Sequence, residues 1–263
     1  MTAFDCTTRL PFPAERVFAW HERPDAFARL TPPWETVRVL RAPRGLHDGE
    51  QAVFKVPMLP LPVVGPLGPW KTWVAEHRDY EPGRQFRDVQ LEGPFARWSH
   101  LHRMEPIDDG ACTLSDRIDY AVPGGKALDL LGGWFIRAKL ERMFRYRHAV
   151  TRNDLLLEAH ARSLGLERPL RIGVAGSTGM VGSALCPFLE TLGHTVVRFV
   201  RPGGPALPGE TIPWNPAAAE LDATALDGLD AIVHLSGESI ASGRWSEEKK
   251  RAIHDSRVQS TQL

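Results

Sequence analysis

Apolar and polar residues alternate in several short runs through the first 120 positions, and each run predicts a strand with one buried face. The first covers 6–12, and Pro13 then opens a helical stretch, PAERVFAW, with the proline in its first turn. Further strands are expected at 35–41, 51–56, 71–78, 85–91, 97–104 and 112–120, with Gly83, Gly93-Pro94 and Gly110 supplying turns. From about 128 to 164 the period becomes helical, with Leu140, Met143, Phe144, Val150, Leu155 and Leu156 at the apolar positions. One helix, a set of antiparallel strands and a long closing helix make an α+β domain, placed at 1–164. The boundary falls in RSLGLERP (162–169), where Gly165 can end the helix. Beyond it, over 168–263, Gly, Ala and Val dominate with the strand-helix-strand rhythm of an α/β domain.

The most informative stretch is RIGVAGSTGMVG (171–182). A short apolar strand runs into Gly176, Gly179 and Gly182, and SALCPFLETLG continues as a helix. Gly176 permits a tight turn, Gly179 lets the backbone approach a pyrophosphate, and Gly182 lets the helix pack close to the strand. Phosphates would then meet the N–H groups and positive end of that helix. Strand, motif and helix stand in the order dinucleotide binding needs. This makes Gly176, Ser177, Thr178, Gly179, Met180, Val181 and Gly182 candidate cofactor-binding residues. The next strand ends in Arg201, where NAD-preferring proteins carry an acid. A cation there can neutralise a 2′-phosphate, so NADP(H) is favoured over NAD(H), with a solvated loop cation as the other reading. Arg198, in mid-strand, is the weaker contributor.

Composition narrows the field. Thirty-two Lys and Arg balance thirty-two Asp and Glu, so no global electrostatic footprint for nucleic acid exists. Cys6, Cys112 and Cys186 are far apart without CxxC spacing, against a disulfide framework or a structural zinc site. Neither a signal peptide nor an apolar stretch of membrane-spanning length is present, and a cytoplasmic protein is expected. All three tyrosines and six of the eight tryptophans precede residue 165. Between two strands, VPMLPLPVVGPLGPW (56–70) holds five prolines and forms no regular helix. Such an apolar loop packs on the core or covers a cavity mouth, and packing is the favoured reading.

HERPDAFARLTPPW (21–34), FRDVQLEGPFARWSHLH (86–102) and LSDRIDYAVPGG (114–125) together resemble the SRPBCC, or START-like, superfamily. These are helix-grip domains, and the resemblance implies an apolar cavity for a hydrophobic small molecule. In the second domain the GxxGxxG spacing resembles extended short-chain dehydrogenases/reductases. IPWNP (212–216), DAIVHLSGESIASGRW (230–245) and SRVQST (256–261) narrow this to an epimerase-like, atypical branch often fused behind a START-like domain. The expected fold is therefore an α+β helix-grip domain followed by a partial Rossmann doubly wound sheet. By that likeness Leu235, Ser236 and Gly237 pass beneath the cofactor. Ser236 either donates to cofactor or substrate or caps the strand end. Trp245 walls the nicotinamide side or packs helix on sheet, and Arg257 reaches the site mouth or forms a surface salt bridge.

Hydride transfer in that superfamily leans on a Tyr-x-x-x-Lys pair. No tyrosine follows Tyr146, and the only lysines of the second domain are Lys249 and Lys250. The catalytic residues are thus unassigned. The chain reads as the N-terminal part of a longer, NADP(H)-dependent oxidoreductase or epimerase-like protein, inactive by itself. Its open sheet needs a partner or a C-terminal half to cover it. The other reading is a START-like binding module carrying a Rossmann remnant.

One constellation in the first domain can carry chemistry. Trp98, His100 and His102 alternate and so face one way, and His77 and Asp88 lie on strands that can be neighbours. Imidazoles and a carboxylate can bind a metal, but without a fixed ligand spacing the preferred reading is polar residues satisfying one another. No metal is assigned.

Overall fold

The computed structural model describes residues 2–57 and 69–263, and the proline-rich loop singled out above lies almost wholly outside them. The chain separates into two units, residues 1–159 and 160–263. In the first, strand β1 (Thr2–Leu10) leads through Pro13 into helix α1 (Ala14–His21) and the short α2 (Ala26–Leu30). Strands β2 (Arg38–Arg41), β3 (Gln51–Pro57), β4 (Trp70–Glu81), β5 (Gln85–Glu92), β6 (Arg97–Asp108) and β7 (Ala111–Ala121) follow, and α3 (Gly125–Ser163) closes the unit. The seven strands form one antiparallel sheet in the order β1-β7-β6-β5-β4-β3-β2.

The alternation that predicts the strands is visible as burial. Along β6, Trp98, His100, His102 and Met104 are all buried, and along β7 Cys112, Leu114, Asp116, Ile118 and Tyr120 are. Helix α3 lies on this face, with Leu140 and Phe144 in a cluster with Phe4, Trp98, Ile118 and Tyr120. Further along, Val150 and Leu155 pack with Val17, Phe18 and Trp20 of α1. This sheet around a long helix is the helix-grip arrangement. Leu156, expected in the apolar stripe, is 40% exposed, because one residue past Leu155 is about 100° further round the helix.

The second unit contains β8 (Arg171–Ala175), α4 (Gly182–Thr191), β9 (Thr195–Val200), β10 (Glu210–Asn215), β11 (Glu220–Leu221), β12 (Ala231–His234) and α5 (Glu247–Gln262). The sheet order is β11-β10-β9-β8-β12, parallel except for the β10–β11 pair. Strands β8, β9 and β10 step one way, and β12 then takes the other flank of β8. This is the opening of a Rossmann sheet, with its topological switch point between β8 and β12. No helix among the described residues is long and apolar enough to cross a membrane.

Candidate functional site

Two places concentrate chemistry, one in each unit. In the first unit a cavity of about 470 Å³ opens between the sheet and α3. Its walls include Phe27, Phe54, Trp73, Phe95, Trp98, Leu140 and Met143. Opposed Ala52 and Ala75 on β3 and β4 also line it, and their small side chains leave room. One end is polar: His21, His77, Asp88, His100 and His102 all line it.

The strand register places these groups. Asp88 of β5 pairs with His77 of β4 on one side and His100 of β6 on the other, while Asp116 of β7 faces His102 across the next ladder. His100 Nε2 donates to Asp116 Oδ1 at 2.7 Å, and His102 Nδ1 lies 2.8 Å from the same oxygen. His148 of α3 reaches Asp116 Oδ2 from the opposite side at 2.5 Å. On the cavity side, His102 Nε2 lies 3.2 Å and His77 Nε2 3.1 Å from Asp88. His77 Nδ1 is fixed by the Gly45 carbonyl at 2.9 Å, and the His102 ring stacks on Phe86 at 4.1 Å.

Burial penalises every charge here, so the partners decide who holds a proton. Burial would lower His102, yet Asp116 and Asp88 raise it to about 9. Burial likewise works against His148, but its bonds to Asp116 and the neighbouring Cys6 lift it to about 9. For His100, burial and the His102 charge win and bring it down to about 4, and His21 is lowered to about 4 for the same two reasons. Burial opposes ionisation of Asp88 and Asp116, but the imidazoles beside them hold both well below the usual carboxylate range. At neutral pH two carboxylates therefore face two imidazoliums. An apolar cavity with such an end can hold a hydrophobic molecule by its body and fix an oxygen function at the polar wall.

In the second unit the glycine-rich turn sits at the switch point. Gly176 has φ +82°, and a Cβ there would lie 2.8 Å from the backbone of Leu235 and Ser236 at the end of β12. A Cβ on Gly182 would lie 2.2 Å from the Gly176 carbonyl oxygen, so the start of α4 presses directly on the turn. Gly179 N donates to Gly176 O at 3.0 Å, and Ser183 N to Gly179 O at 2.9 Å. Ser177 and Gly182 are buried, whereas Thr178, Gly179, Met180 and Val181 are exposed on top of the turn. The structure thus brings the turn together with Leu235 and Ser236. Gly237 follows, and the Arg257 guanidinium of α5 lies 3.0 Å from where its Cβ would be.

Other sequence candidates fall differently. Arg201 is exposed one residue past β9. Arg198 is tied to Glu190 at 2.8 Å and to the Pro208 carbonyl at 3.1 Å. Ser236 Oγ is 3.2 Å from His234 Nδ1, and Trp245, 60% exposed, donates Nε1–H to the Ile240 carbonyl. Sequence reading missed Glu238, which pairs with Lys249 of α5 and is lowered first by that hydrogen bond, with Arg201 and Arg257 adding to it. It also missed Asp116, His148 and His21.

Known proteins fall on the same two units. The sequence model of the family "Polyketide cyclase / dehydrase and lipid transport" matches residues 10–145, and that of the "NAD dependent epimerase/dehydratase family" matches 172–263. An epimerase family protein of Mycobacterium bovis is 44% identical over 92 residues, 35% of this chain and 30% of the relative. A human epimerase family protein is 38% identical over 96 residues, 36% of this chain and 30% of the relative. The crystal structure of a nucleoside-diphosphate sugar epimerase from Corynebacterium glutamicum is 30% identical with a TM-score of 0.72, covering 98% of this chain and 50% of that one. The chain thus spans about 30% of the length of these curated relatives and half of that solved chain.

Proposed function

Because the chain belongs to the polyketide cyclase/dehydrase and lipid-transport family through its first unit and carries an NAD-dependent epimerase/dehydratase domain in its second, we propose that it is the ligand- and cofactor-binding part of an epimerase-like, NADP(H)-dependent oxidoreductase. One observation carries this reading. The glycine turn lies at the switch point of the parallel sheet, and side chains at Gly176 or Gly182 would collide with backbone. There the residues 176–182 would hold the pyrophosphate, with Leu235, Ser236 and Gly237 beneath the rest of the dinucleotide. Trp245 and Arg257 stand toward the substrate side. The cofactor, when bound, supplies the hydride chemistry, and the chain's residues bind and orient it.

The preference for NADP(H) rests on Arg201, which stands at the end of β9 while Arg198 is occupied by Glu190. The first unit holds an apolar small molecule in its 470 Å³ cavity. No Tyr-x-x-x-Lys occurs in the 263 residues, so complete catalysis belongs to further chain or a partner. The same element would extend the sheet at β12, where Ile232 is 51% exposed. A cytoplasmic setting is part of the reading, supported by Cys6, Cys112 and Cys186 forming no disulfide.

Titration calorimetry tests it. NADPH is expected to bind more tightly than NADH. Gly179→Asp, which sets a carboxylate against the phosphates, should abolish both, and Arg201→Ala should weaken NADPH about tenfold, roughly one lost charge-assisted contact, and leave NADH unchanged. No heat with either cofactor, or equal binding by Gly179→Asp, would overturn the cofactor assignment. Equal NADPH affinity in Arg201→Ala would remove the NADP(H) preference alone.

A further inference from the structure

We propose that Asp88, His100 and His102 form a binding site for a divalent transition-metal ion on the wall of the first unit's cavity. Their ligand atoms, one from each residue, lie within 4.8 Å of one another. His102 Nε2 stands 3.2 Å and His100 Nδ1 3.7 Å from the same oxygen, Asp88 Oδ2. Donors around one such ion at about 2.0–2.2 Å from it stand roughly 3.0–3.5 Å apart, so both Asp88 distances are near that span and the set closes by drawing in from within 4.8 Å. As it stands the arrangement is incompletely bonded. The 3.7 Å gap from His100 exceeds a hydrogen bond. Asp88 Oδ1, buried, has His77 Nε2 at 3.1 Å but without the alignment of a hydrogen bond.

The surroundings are those of metal-ligating histidines rather than of a simple ion pair. His100 gives its second nitrogen, Nε2, to Asp116 Oδ1 at 2.7 Å, which fixes that ring, and His102 Nδ1 stands 2.8 Å from the same oxygen, so His100 Nδ1 and His102 Nε2 are the nitrogens turned toward Asp88. Asp116 is steadied in turn by His148, and Asp88 by His77, itself anchored on the Gly45 carbonyl. Two imidazoles and one carboxylate suit Zn²⁺ or Fe²⁺ and not the oxygen-preferring Ca²⁺ or Mg²⁺. Three protein ligands leave coordination positions toward the cavity. The ligand class that fits is an apolar molecule with a carbonyl, carboxylate or enol oxygen to complete the shell.

The test needs neither NADP(H) nor an apolar ligand, so it fails or succeeds apart from the reading above. The full chain, tag-free and stripped with a chelator, is titrated with Co²⁺ and then with Zn²⁺. The site gives d–d absorption saturating at one Co²⁺ per chain and displaced by Zn²⁺. Asp88→Asn and His100→Gln should each weaken Co²⁺ at least tenfold, and Asp116→Asn about 10–100-fold. His254→Gln, on a side chain 71% exposed in the other unit, should change nothing. Absence of d–d bands at millimolar Co²⁺, or equal affinity in Asp88→Asn, overturns the site. Where a variant fails to fold, wild type decides: the Co²⁺ form should show two hyperfine-shifted imidazole N–H protons, from His100 and His102. Their absence also overturns it.

Discussion

Asp116 accepts His100 on one carboxylate oxygen and His148 on the other, with His102 Nδ1 2.8 Å from the first, and these imidazoles make the fold sensitive to pH. In the metal-free chain the folded state raises His148 from 6.5 to about 9. A raised base binds more protons folded than unfolded, so its stabilisation is complete below 6.5 and lost as pH climbs through 9. His21, lowered to about 4, works the other way: its folded form sheds a proton that the unfolded chain keeps, so stability falls as pH drops from 6.5 toward 4. Thermal melts across this range should therefore pass through a maximum, and His148→Gln should flatten the alkaline limb by about 3 kcal/mol. An unchanged alkaline limb in that variant would remove His148 from the account. Half of this cluster is legible in the sequence, because a strand's period of two puts His100 and His102 on one face. Asp116, His148 and His21 arrive from β7, α3 and α1, and no local pattern announces that meeting.

Element by element, α3 is held by charge as well as by its apolar stripe. Asp154, 2% exposed, accepts from Nε and Nη2 of Arg29 in α2 at 3.0 and 2.7 Å, and Glu158 meets Arg23 at 3.1 Å. Breaking a fully buried ion pair costs about 3–5 kcal/mol, and this one costs less because the Arg29 side chain is 18% exposed. Asp154→Asn should lower the urea midpoint accordingly, whereas exposed Asp108→Asn, whose partner Arg9 is 70% exposed, should leave it within error. Equal midpoints for the two would show that the α2–α3 pair is dispensable. The long elements were readable because many residues repeat one period. Helix α2, five residues between Asp25 and Thr31, is too short for periodicity to register. Strand β2 begins at Arg38 rather than at 35 because Pro32 and Pro33 open a turn that Glu35 N–H closes on the Pro32 carbonyl at 2.9 Å.

For the whole molecule, the chain holds two kinds of site with opposite legibility. The dinucleotide cradle is local: strand, three glycines and helix within a dozen residues, each glycine answering to a steric demand that the sequence already implies. The cavity is lined from four strands, β3 to β6, and from α1, α2 and α3, so sequence shows only the family likeness and not its lining. This difference makes the two sites separable by mutation. Ala75 faces Ala52 across β3 and β4, and both line the cavity with no more than a methyl group. Ala75→Trp should fill that space and weaken uptake of an apolar fluorophore such as Nile red at least tenfold, for an overpacking cost of about 1–3 kcal/mol. NADPH binding should stay as in wild type, since no atom of residues 176–182 or 235–237 is altered. Undiminished fluorophore uptake in a folded Ala75→Trp chain would mean that apolar ligands enter elsewhere, and the cavity would lose its assignment while the cofactor cradle kept its own.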